Sequence, residues 1–171
     1  MCITVHMRHY IILLIAMTSL SGCANKPIIH RDPTLLKYVE AIEEHTGLDL
    51  YKDNYTLVFD TDTKKLLKDW TTGQCRSING NPTRIIISES YWNSFDTEER
   101  LSLIAHEVLH CSFRLGHVKD TKQYTGRLMS PYTSDSAQCV KNFGMIHCIE
   151  EAFAQSEAGQ LEDISKSEHI H

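Results

Sequence analysis

Three histidines and a glutamate fall within residues 106–117, HEVLHCSFRLGH. On an α-helix His106 and His110 stand on one face, one turn apart, so both imidazoles can reach a single tetrahedral cation. Glu107 points to the adjacent side, poorly placed to ligate but well placed to take a proton. That order and spacing suit zinc-dependent hydrolysis of a carbonyl compound. Zinc brings the pKa of its water down towards ~7. Glu107 would accept the proton as the water attacks, then pass it to the leaving amine. A catalytic zinc usually has three protein ligands and one open position. His117 is the nearest third candidate, and Gly116 before it lets the chain leave the helix and swing back beneath the metal. The chain holds ten histidines, so chance alone competes with a bare HExxH and the context must decide.

That context is a capped helix after a strand. Asp96 and Glu99 form a D-x-x-E capping box, and Leu101, Ile104, Ala105, Val108 and Leu109 give the helix an apolar face. Upstream, GNPT (80–83) signals a turn and RIIISES (84–90) reads as the strongest strand. Asp32 and Pro33 open an amphipathic helix through Leu35, Leu36, Val39 and Ile42, which Gly47 ends. YTLVFD (55–60) reads as a strand, whereas TKKLLKDWTTGQC (63–75) is ambiguous, with a short helix around Leu66 and Leu67 as one reading. Residues 134–156 form a last helical region that Gly144 can break. The expectation is one small α/β (α+β) domain over residues 33–156, with a mixed sheet, an active-site helix and backing helices. Residues 157–171 are polar and read as a flexible tail.

With Met129 in LMSPY downstream, these features resemble the metzincin-type zinc metallopeptidases: HExxH, a third histidine after a glycine, and a Met-turn. The resemblance covers roughly residues 84–132 and implies a zincin-like fold and one zinc ion, held by His106, His110 and His117. It makes Glu107 the general base and Met129 a hydrophobic support under the imidazoles. The pattern departs from HExxHxxGxxH, since this chain reads HExxHxxxxxGH, one residue longer and with the glycine beside the last histidine. Cys111, Arg114 and His117 resemble a variant found in bacterial lipoproteins of unassigned activity. Some metzincins place an oxyanion-stabilising tyrosine two residues after the methionine; Tyr132 follows by three. IEEAFAQ (149–155) resembles the glutamate helix of gluzincins, making Glu151 the rival third ligand.

The chain begins with a charged lead and the apolar run YIILLIAMTSL (10–20), of signal-peptide length. LSGC, ending at Cys23, resembles the lipobox of bacterial lipoproteins, which implies a signal over 1–22, lipidation at Cys23 and a tether over 23–32. Ala24 resembles the pattern sorted to the outer membrane, with the protein facing the periplasm. In that oxidising compartment Cys75, Cys111, Cys139 and Cys148 can form two disulfides by three connectivities. In one straight helix Cys139 and Cys148 would lie ~13 Å apart, too far to bond, but Gly144 allows a local pair. The working pairing is Cys75 with Cys111 and Cys139 with Cys148. A net charge of −5 and the lack of a basic stripe argue against nucleic acid. The expected partners are a peptide or protein substrate and, through the lipid, a membrane; the chain is expected to be monomeric. The contrasting reading is an inactive zinc-binding envelope lipoprotein acting as an adaptor or exclusion factor. Glu107 argues against it, since a purely structural site has no use for that carboxylate.

Overall fold

Local chemistry fixes where the elements begin and end. In the computed structural model, which describes residues 31–50, 55–61, 66–68, 70–78, 81–119 and 126–162, the first helix is α1, Pro33–Thr46. The Asp32 carboxylate accepts the Thr34 N–H, and Gly47 closes the helix at φ 70°, its N–H bonded to the Glu43 carbonyl. Leu35, Val39 and Ile42 form its buried stripe.

Three strands follow: β1 (Thr56–Asp60), β2 (Gly73–Ile78) and β3 (Asn81–Ser88), in the spatial order β1-β3-β2. β1 runs parallel to β3 with Leu57 opposite Ile85, and β2 runs antiparallel to it with Cys75 opposite Ile85. As the central strand, β3 buries Ile85, Ile86 and Ile87 in succession, which explains its unbroken apolar run. A short α2 (Glu89–Ser94) then buries Trp92, with the Tyr38 and Phe59 rings 4.9 and 5.7 Å from its own.

The next helix, α3 (Thr97–Phe113), starts at the expected capping box, with Asp96 and Glu99 exchanging 2.8 Å bonds. Every residue from Ser102 to Ser112 is buried, so α3 is the central rod of the domain. It packs against the sheet, α1 and α4 (Thr133–Phe143). Gly144 separates α4 from α5 (Met145–Glu157), and the turn brings the Cα atoms of Cys139 and Cys148 to 6.0 Å, where they are disulfide-bonded. Cys75 and Cys111 form the other disulfide, fastening β2 to α3. The result is a small mixed α+β fold, and among the described residues no helix is long and apolar enough to cross a membrane.

Several boundaries differ from expectation. Asn81, placed in a turn by GNPT, already belongs to β3, while Glu89 and Ser90 at the end of RIIISES begin α2. No helix forms at Leu66 and Leu67; their N–H groups instead bond to the Asp60 carboxylate. Gly73–Cys75 form strand because the Cys75–Cys111 bond and β3 hold them there, not because of an apolar alternation. α3 ends before Gly116: Arg114 takes the left-handed cap at φ 57°. The last tether residues join the fold, with the Asp32 N–H donating to the Leu57 carbonyl. Residues 158–162, expected to be loose, are hydrogen-bonded to the body of the domain, and Leu161 is buried. The apolar N-terminal run, Cys23 and residues 163–171 lie outside the described residues.

Candidate metal centre

Because α3 is rigid and buried, its i, i+4 pair is held without help. The Nε2 atoms of His106 and His110 are 2.9 Å apart. The chain then turns at Arg114, and His117 brings its Nε2 to 3.2 Å from each of the others. All three rings are buried. They are the one set of three or more potential ligands that converges among the described residues, so the expected triad is assembled and is close enough to bind a metal ion.

The ring orientation tests whether a cation fits. His106 Nδ1 is 2.7 Å from the Leu128 carbonyl, and His110 Nδ1 is bonded to the Leu115 carbonyl. A carbonyl only accepts, so each Nδ1 carries the proton and each Nε2 presents a lone pair. Two lone pairs at 2.9 Å repel unless something positive lies between them. Nitrogen ligands ~2.0–2.1 Å from a tetrahedral zinc would sit roughly 3.3 Å apart, close to the spacing seen. The donor set therefore fits a divalent cation, and the backbone carbonyls fix the tautomers as they do for metal-bound histidines.

The segment around Met129 serves this arrangement through its backbone. The Leu128 carbonyl orients His106, and the Met129 carbonyl accepts the Val118 N–H next to His117. The Met129 side chain is fully buried. Glu151, the rival ligand, is elsewhere: it forms an ion pair with Arg127 at the start of the same turn and is not in the ligand cluster. Tyr132 stands 58% exposed at the N-cap of α4 and is not among the residues lining the cleft beside His106, so an oxyanion role gains no support.

That cleft lies on the Glu107 side of His106, lined by Thr72, Ser130, Thr133 and Ser136. Thr72 and Thr133 are hydrogen-bonded across it at 2.9 Å. Glu107 is fully buried, and neither carboxylate oxygen has a hydrogen-bond partner among the described residues. Burial raises its pKa to about 8, and the Cys75 N–H, short of hydrogen-bond geometry, pulls the other way to a smaller extent. A cation at the three nitrogens would draw it back down.

In metal-free protein this burial has a defined pH signature. Below the unfolded pKa of ~4.3 the carboxyl is neutral in both states and costs nothing. Above it the unfolded chain ionises and the folded one does not, so stability falls by ~1.4 kcal/mol per pH unit until the folded pKa is passed. In chelator the parent is therefore expected to lose stability relative to Glu107→Gln as pH rises from about 5 to about 8. Thermal unfolding of both proteins in chelator measures it, and equal slopes would contradict the burial of an ionisable group.

Gly73 escapes a motif search yet belongs to the site. A Cβ there would lie 2.7 Å from Glu107 Oε1 and 3.0 Å from its Cγ and Cδ, so the backbone of β2 is the wall against which the carboxylate rests. A signal existed in the cysteines. Residues 73 and 75 share one face of a strand, and 107 and 111 share one face of a helix. Pairing Cys75 with Cys111 thus brings residue 73 alongside Glu107. The strand that does so lacks apolar alternation, so only the disulfide betrays it.

The chain matches no family model, no curated protein and no solved structure. What fold and site define is thus a class: a small α+β domain with a buried three-histidine centre able to hold a metal ion.

Proposed function

We propose that the chain is a zinc-dependent metallopeptidase of zincin type, in which His106, His110 and His117 hold zinc and Glu107 is the general base. The observation that carries this reading is the convergence of the three Nε2 atoms, with the fully buried Glu107 lining the same small cleft as His106. When bound, zinc supplies Lewis acidity, lowering the pKa of a water and polarising a carbonyl. Glu107 takes the water's proton at a carboxylate oxygen that has no hydrogen-bond partner among the described residues, then delivers it to the amine that leaves. The walls of α3 and the sheet keep bulk water from that proton. The Leu128 carbonyl beside Met129 holds the His106 tautomer in place, and the Leu115 carbonyl holds that of His110. The LSGC sequence at residues 20–23 supports a lipid-anchored protein of the bacterial envelope, acting on peptide or protein substrates outside the cytoplasm.

The test is zinc-loaded whole chain incubated with a peptide library and an unfolded protein, with cleavage read by mass spectrometry. Cleavage that chelator abolishes and zinc restores is expected; no cleavage of any library member would contradict the peptidase reading and favour the adaptor. Gly73→Ala provides an independent check. The three atoms nearest the added methyl all belong to Glu107 and none to a histidine, so kcat/KM is expected to fall roughly 10²-fold while zinc affinity stays unchanged. Unaltered kcat/KM would separate Gly73 from the reaction.

A further inference from the structure

His106 and His110 are fixed by the helix that carries them, but His117 is not. It lies beyond the end of α3, on a segment with no helical bonds of its own. Besides the Val118 N–H bond to the Met129 carbonyl, what holds that segment comes from residues after α5. After α5, residues 159–162 run antiparallel to residues 117–119. The Glu162 N–H donates to the His117 carbonyl at 2.7 Å, and the Lys119 N–H donates to the Gln160 carbonyl at 3.0 Å. Leu161 pairs with Val118 between them, and both side chains sit in the core cluster. The Lys119 ammonium adds a 2.6 Å bond to the Gly159 carbonyl.

We propose that residues 159–162 are a built-in clamp that positions His117, and so sets how tightly the site holds its metal. Gly116 supports this directly. A Cβ there would lie 2.0 Å from the Glu162 carbonyl oxygen, so glycine is required because the clamp passes against the residue before the ligand. The clamp is anchored at its own root. The Gln160 N–H returns to the Gln155 carbonyl at 2.9 Å, and α5 is cross-linked to α4 through Cys139 and Cys148. Two ligands thus come from a rigid helix, and the third from a segment held by an isolated antiparallel bridge, Val118 to Leu161. Holding the third imidazole in place before metal arrives removes an ordering cost that binding would otherwise bear. The inference rests on the three-histidine metal site but not on peptide hydrolysis.

Two substitutions in the whole chain weaken the clamp without touching a ligand. Glu162→Pro removes the N–H bonded to His117 while changing an exposed side chain, and Leu161→Ala removes buried contact. Zinc affinity is measured by competition with a chromophoric chelator, and ligand geometry from the visible spectrum of bound Co2+. Both variants are expected to bind zinc roughly 10- to 100-fold more weakly, with Co2+ absorption shifted from the parent and far-UV circular dichroism unchanged. In a His117→Ala background the same substitutions are expected to alter affinity less than about twofold, because the ligand they position is gone. Parent-like affinity in both clamp variants would overturn the proposal. Equal losses with and without His117 would also overturn it, showing a general structural role. Should His117→Ala alone bind zinc like the parent, the metal site itself would be misassigned and the clamp would fall with it.

Discussion

Glu107→Gln is expected to lower peptide hydrolysis by on the order of 10³-fold or more while leaving one zinc bound per chain. Glutamine has almost the same shape and reaches the same wall at Gly73, so the fold has no reason to change. It cannot accept a proton, so the attacking water keeps its own and the leaving amine receives none. Among the described residues no second carboxylate joins Glu107 in lining the cleft, so nothing there replaces it. The metal keeps its three imidazoles, so zinc content is expected to stay at the parent level. The stability change has the opposite sign: a buried carboxylate is costly to ionise without a cation, so the metal-free variant is expected to melt higher near neutral pH. A loss of activity with a gain in stability is the mark of a residue kept for chemistry. Steady-state kinetics and metal analysis on the same preparation check it, and retained activity would remove Glu107 from the mechanism.

The second large effect concerns the ligands. His117→Ala leaves two imidazoles on α3, and zinc affinity is expected to fall on the order of 10²-fold or more. Glu151→Ala is expected to leave affinity within about twofold, because that carboxylate is engaged by Arg127 and stands outside the cluster. The gluzincin-like alternative predicts the reverse ranking. Competition titrations with a chelator of known affinity read both variants on one scale. Loss of zinc in Glu151→Ala with retention in His117→Ala would move the third ligand to α5.

How much of this was legible in the sequence depends on how local the cause is. The Asp32 cap, the Gly47 stop and the Asp96–Glu99 box are set by residues within a turn of one another, and each forms as its pattern implies. His106 and His110 share a face because of helix geometry alone. The break at Gly144 and the Cys139–Cys148 bond likewise follow from neighbours. β2 does not, since its pairing to β3 and its bond to α3 are decided by residues far along the chain. Gly116 shows the difference most clearly. Its sequence position beside His117 suggested a helix stop, but Arg114 takes the left-handed turn and Gly116 makes room for Glu162. No local pattern could announce that contact, because its partner comes from a tail whose composition reads as loose. The His117 assignment was legible as a spacing; what positions His117 was not.

The most direct measurement is X-ray absorption at the zinc edge on the whole chain loaded with one equivalent of zinc. Three imidazole nitrogens at ~2.0–2.1 Å and one water oxygen are expected. Fewer than three imidazoles, a sulfur ligand, or failure to retain one zinc per chain would contradict the three-histidine centre.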